Sequence, residues 1–137
     1  MTQAGTIADV TGRPRTRYVA DLIGTNLVNG AADGTTVAGP GGFALTSAEP
    51  HAGDVFVTIP PAAVAIHLRE PEGSPRNRWP ATVTHLDLLG DRVRVHLAPP
   101  VSLIAELTPA SVADLGLREG AEVWASVKAT EVVVYPR

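Results

Sequence analysis

The chain has 137 residues, 11 Lys and Arg against 14 Asp and Glu, a formal net charge of −3 and no cysteine. Disulfides, thiol chemistry and Cys-based zinc or iron–sulfur sites are therefore excluded, and the acidic balance argues against a general nucleic-acid binder. No apolar run approaches the ~20 residues of a membrane span and no signal-peptide core opens the chain, so the expected location is the cytoplasm, with any membrane role mediated by a partner. Thirteen glycines, twelve prolines and only 4% aromatics predict short strands, tight turns and a Val/Leu/Ile/Ala core, as in a small barrel or sandwich.

In chain order, Thr6 is a candidate N-cap for a short helix over Ile7 to Val10, with Asp9 at the capping-box position. Pro14 can start a second helix that Gly24 ends, with Tyr18, Val19, Leu22 and Ile23 as its apolar stripe. Two such helices read as a connector, not a domain. From Thr25 the pattern is β, with strands expected over Asn26–Ala32, Thr35–Ala38, Phe43–Thr46, Asp54–Ile59 and Val64–Leu68. The Gly39-Pro40-Gly41-Gly42 stretch lacks the Lys-Ser/Thr ending and following helix of a phosphate loop, and is read as a hairpin turn.

In the second half, "THLDLLGDRVRVHL" predicts a hairpin turning at Gly90-Asp91. Leu89 then faces Arg92, Asp87 faces Arg94 as an ion pair, and His85 faces His96, while Leu86, Leu88, Val93, Val95 and Leu97 share the other face. Two imidazoles without a third ligand are read as surface residues, not a metal site. Val101–Leu107 is a further strand. A short helix follows, with Thr108 as N-cap, Pro109 at its first position and Gly116 as C-cap. The remaining residues form one bent strand or two short ones.

Two segments repeat at an offset of 68 residues: "DVFVTIPPAAVAIH" from Asp54 and "EVWASVKATEVVVY" from Glu122. A looser match sets Gly24-Thr25-Asn26 against Pro75-Arg76-Asn77. A duplicated β-unit accounts for this. Each closing strand is broken in the middle, by Pro60–Ala63 in the first half and by Lys128–Glu131 in the second. Prolines cannot donate an N–H, whereas Lys128-Ala129-Thr130 offers an ammonium, a hydroxyl and free amides. With Ser74 and Arg76 of the "SPRN" loop, these groups form the donor inventory that a compact tetrahedral oxyanion requires. The bland alternative is a turn serine, a bulge-tying Asn77 and a solvated lysine. No nucleophile–His–acid arrangement is present, so binding is expected, not catalysis.

Ser74-Pro75-Arg76-Asn77, Leu117-Arg118-Glu119-Gly120 and Lys128-Ala129-Thr130 resemble the hallmarks of the TOBE, or Mop-like, domain over about the last 65 residues. The N-terminal "GRPRTRYVADLIGTN" is similar to the stretch that follows the nucleotide-binding domain in importer-type ABC ATPases. The whole resembles the C-terminal regulatory region of a molybdate importer's ATP-binding subunit. The implied fold is mainly β: duplicated OB-like barrel units, a connector over 1–24, a degenerate first unit over 25–72 and a TOBE-like unit over 73–137. The implied ligand is molybdate or tungstate, held by Ser74, Arg76, Asn77, Lys128, Ala129 and Thr130, with no other cofactor and no metal ion. The implied partners are a second copy of the chain, the parent ATPase domain and a membrane permease, at the inner face of the membrane. The implied role is to sense intracellular oxyanion and inhibit transport. Neither a GxxxxGK[ST] loop nor an ABC signature motif is present, so no ATPase activity is expected of this chain; Met1 followed by what reads as mid-motif sequence points to a piece of a longer protein. Two rival readings keep the fold: a ligand-free dimerisation module, or the same domain in a sugar, polyamine or iron importer. Pro75 departs from the family's usual alanine and removes one loop N–H.

Overall fold

A computed structural model describes residues 14–16, 19–20, 24–73 and 77–137. The expected first helix, most of the second, and the loop residues Ser74, Pro75 and Arg76 lie outside the described residues. The architecture is mainly β, as expected. The strands described are β1 (Asn26–Ala38), β2 (Ala44–Ile59), β3 (Ala65–His67), β4 (Asn77–Leu89), β5 (Arg92–Ala98), β6 (Leu103–Leu107), β7 (Glu122–Val127) and β8 (Val133–Pro136), and helix α1 (Pro109–Leu115) lies between β6 and β7. Thr108 caps α1 by accepting from the Ser111 N–H at 3.1 Å, and Gly116 ends it in the left-handed conformation, as the sequence implies.

The strands form two antiparallel sheets, ordered β1-β2-β8 and β3-β7-β4-β5-β6. The halves therefore exchange their closing strands. After the first break, β3 leaves the first half and pairs with β7, setting Ala65 against Ser126 and His67 against Trp124. After the second break, β8 returns to β2, setting Thr58 against Val133 and Phe56 against Tyr135. These pairs are related by the 68-residue repeat, so the exchange is reciprocal. One continuous core results, in which Val28, Val57 and Ile59 of the first half pack with Val83, Val95 and Val123 of the second. Phe43 meets Trp79 edge-on at 5.1 Å between centroids.

The four strands expected between Asn26 and Ile59 are two. β1 runs through Gly34, whose φ of +69° absorbs the register shift between Gly34 and Thr36, and β2 runs through the matching irregularity. The hairpin at Gly39–Gly42 is present. Gly41 has a φ of +66°, and a Cβ there would lie 2.8 Å from the Pro100 carbonyl oxygen, so the turn needs glycine for both backbone and space.

The β4–β5 hairpin has the expected register, including Asp87 opposite Arg94 and His85 opposite His96. Two details are corrected. Asp87 forms no pair with Arg94: its carboxylate lies between His85 Nε2 at 2.6 Å and His96 Nε2 at 3.0 Å, while Arg94 turns to Glu106 at 4.0 Å. Short Asp reaches its adjacent imidazoles more readily than a guanidinium that has a carboxylate on its other side. Leu88 shares the face of Val93 but is 70% exposed, because the hairpin tip projects beyond the core.

Reciprocal amide contacts join the halves. Asn26 Oδ1 accepts from the Ile104 N–H at 2.8 Å, and its Nδ2 donates to the carbonyls of Ile59 and Ile104. Asn77 Oδ1 accepts from the Thr46 N–H at 2.6 Å, and its Nδ2 donates to the Thr46 carbonyl at 2.9 Å. Each half thus grips a backbone peptide of the other.

Candidate functional site

The two breaks are the same 3-10 turn built from different residues. In the first half, the Ala63 N–H bonds to Pro60 O and the Val64 N–H to Pro61 O; in the second, Glu131 N–H bonds to Lys128 O and Val132 N–H to Ala129 O. Lys128 has φ −71° and ψ 139°, close to the −62° and 135° of Pro60. A 3-10 turn leaves its leading N–H groups outside its own hydrogen bonds. In the second half those groups belong to Ala129 and Thr130. In the first half Pro61 has none, and only Ala62 donates. The proline pair preserves the turn and removes the N–H at the position of Ala129, leaving that of Ala62.

A cavity of about 460 Å3 lies between the turns. The first half contributes Pro60, Ala62, Ala63 and His67, and the second contributes Ser126, Lys128 and Glu131. Lys128 and Thr130 are exposed and Ala129 is half-buried. Asn77 stands opposite Val127, so the chain enters β4 beside the point where β7 leaves into the Lys128 turn. The approach to that entry is held by Arg78, which donates to the Gly73 carbonyl at 3.3 Å and pairs with Glu70 at 3.3 Å. Of the expected site residues, Lys128, Ala129 and Thr130 share one turn, and Asn77 is 3% exposed at its flank with its amide on Thr46. Ser74 and Arg76 lie outside the described residues.

Sequence reading missed His67 and Ser126 in this cavity. The signal was present in the repeat, which sets His67 against Tyr135 and Ser126 against Thr58, but only the exchange of β3 shows that His67 faces the donor-rich turn of the other half. A separate cavity of about 410 Å3, lined by Leu27, Val28, Pro40, Phe56 and Val101 with Arg15 at its side, contains none of these groups. The His85–Asp87–His96 group is also elsewhere. Among the described residues no group of three or more His, Cys, Asp or Glu can hold a metal ion.

Residues 73–134 match the family profile of the TOBE domain. They are a TOBE domain. Over 98% of its length the chain is 35% identical to the molybdenum import ATP-binding protein ModC of Mycobacterium tuberculosis. Over 99% it is 33% identical to the molybdate/tungstate import ATP-binding protein WtpC of Pyrococcus horikoshii. It spans 39% and 40% of those two proteins, respectively. A crystal structure of the cytoplasmic molybdate-binding protein ModG, in a form with molybdate bound, superposes with a TM-score of 0.74 at 22% identity, covering 82% of this chain and 96% of that one. The likeness establishes a shared, mainly β, OB-like fold. No described helix is long and apolar enough to cross a membrane.

Proposed function

We propose that this chain is the oxyanion-sensing region of a molybdate or tungstate importer's ATP-binding subunit. It divides into a connector (1–24), a degenerate unit (25–72) and the TOBE unit (73–137). The observation that carries the reading is the contrast between two turns of equal backbone geometry. One carries the unbonded N–H groups of Ala129 and Thr130 beside Lys128, which borders the cavity; the other has Pro60 and Pro61 at the positions of Lys128 and Ala129. Fixed backbone donors with one ammonium suit a compact tetrahedral dianion. The names of the relatives supply the ligand: molybdate or tungstate. Ser74 and Arg76 are proposed to complete the site, beside Asn77 where β4 begins.

The proposed regulation is supported by connectivity. The Lys128 turn runs directly into β8, and Tyr135 of β8 donates its hydroxyl to the Pro14 carbonyl in the N-terminal connector. Phe56, Ala20 and Leu27 are buried around it. Anion binding at the turn would thus bias the segment that leads to the ATPase domain, inhibiting transport if one transporter state binds oxyanion more tightly. The second copy, the ATPase domain and the permease are its proposed partners, at the cytoplasmic face of the membrane.

Calorimetric titration with sodium molybdate tests the binding. Saturable heat is expected, and Lys128→Ala should weaken it by about 10- to 100-fold, as for loss of a charge-assisted hydrogen bond. No heat at millimolar molybdate would overturn the reading and leave a structural dimerisation module.

A further inference from the structure

We propose that His67 is a binding residue of this oxyanion site and links anion capture to uptake of a proton. The inference rests on the oxyanion reading above and adds a residue from the other half of the molecule. His67 Nε2 lies 2.7 Å from Ser126 Oγ, and both side chains line the cavity that Lys128 borders. Ser126 is 1% exposed and stands two residues before Lys128.

A serine hydroxyl has one proton to give. When Nε2 is unprotonated, it accepts that proton's hydrogen bond and Ser126 has nothing to donate into the cavity. When Nε2 carries a proton, it donates to Ser126 Oγ, and the hydroxyl is free to donate to an anion. The neutral Nε2–H tautomer frees that O–H as well, and the imidazolium state adds to it a positive charge beside the Lys128 ammonium. A dianion favours that state, and the linkage is reciprocal: the bound anion raises proton affinity at His67, and a proton there tightens anion binding.

The surrounding charges are Lys128 and Glu131 on the turn, and Arg78 on β4, across the ladder from Ser126. Arg78 is engaged with Glu70 and the Gly73 carbonyl. On its own segment, His67 is followed by Arg69 and Glu70. The repeat supplies a contrast. The positions equivalent to His67 and Ser126 are Tyr135 and Thr58, and the Tyr135 hydroxyl is directed to Pro14. The imidazole–hydroxyl pair of the cavity between the turns therefore has no imidazole at the equivalent positions of the repeat.

The test is a calorimetric titration of this chain with sodium molybdate at steps between about pH 6 and pH 8, where imidazole side chains change protonation. Apparent affinity is expected to fall as pH rises, by up to about tenfold per pH unit for one linked proton. Repeating the titration in buffers of different ionisation enthalpy should show proton uptake on binding. His67→Gln retains an amide able to bond Ser126 but cannot titrate, and should flatten the profile and abolish the proton uptake. Ser126→Ala should weaken binding across the pH range by removing one hydroxyl donor. A wild-type affinity independent of pH, or a His67→Gln profile with the wild-type slope, overturns the role of His67 and leaves oxyanion binding intact. Absence of wild-type binding at every pH overturns both.

Discussion

Replacing Asn77 by alanine tests whether the reciprocal amide contacts hold the two halves together. Asn77 is 3% exposed, and its amide satisfies both the N–H and the C=O of Thr46. Each buried polar group left without a partner costs about 1–3 kcal/mol. Thr46 is half-buried, so water recovers part of that, and the expected loss is about 2–4 kcal/mol for the two groups. For a chain of this length that lowers Tm by on the order of 10 °C. Asn77→Asp keeps the acceptor for the Thr46 N–H but turns a carboxylate oxygen towards the Thr46 carbonyl. Its loss should be larger at neutral pH. The buried carboxyl's folded-state pKa is raised, so stability should recover as pH falls through that value towards the unfolded one, about 3.9. Thermal and urea melts at several pH values measure both effects. An Asn77→Ala variant within about 0.5 kcal/mol of wild type, or an Asp variant whose deficit is independent of pH, would refute the reasoning.

Gly41→Ala should lower stability by about 1–3 kcal/mol, because a left-handed φ is imposed on an L-residue whose Cβ meets Pro100; an unchanged urea midpoint would contradict it. His85 is raised above its ordinary 6.5 by hydrogen bonds to Glu119 and then Asp87, and Asp87 is lowered below 3.8 by its bonds to His96 and then His85. The His85 contribution is therefore present below pH 6.5 and lost as pH rises through its raised folded-state value; that of Asp87 is present above 3.8 and lost as pH falls through its lowered one. NMR titration should place His85 above 6.5 and Glu119→Gln should lower it; an unmoved midpoint would remove Glu119 as the cause. Tyr135→Phe deletes the hydroxyl that reaches Pro14, so exchange of the Ala20 amide, which bonds to the Thr16 carbonyl, should accelerate by about tenfold, as for loss of one hydrogen bond.

Much of the second half was legible in sequence because its signals are local. Alternation around Gly90-Asp91 sets the hairpin register, and Thr108, Pro109 and Gly116 bound α1 with side-chain chemistry that needs no tertiary partner. The strand exchange was not legible. β3 and β8 are three- and four-residue pieces after equivalent turns, and each can pair with its own half or the other with the same alternation. The choice is made by the shared core and the reciprocal Asn26 and Asn77 contacts, which are long-range. Asp87 illustrates a smaller limit. Register placed it opposite Arg94, but side-chain reach and the competing Glu106 decided the pairing. At the candidate site the donor-rich turn was readable from the Pro60–Ala63 and Lys128–Glu131 contrast, whereas His67 belongs to the site only because β3 crosses over.

Ala129→Pro tests the central claim most directly. The equivalent first-half position is Pro61, and Lys128 already has the extended backbone that a following proline requires. The substitution therefore removes the Ala129 N–H while keeping the turn. Calorimetric titration with molybdate should show saturable binding to the wild-type chain and at least about tenfold weaker binding to Ala129→Pro, as for loss of a hydrogen bond to a charged group, with Tm retained. Wild-type affinity in a folded Ala129→Pro chain would contradict the claim that the amides of this turn hold the oxyanion.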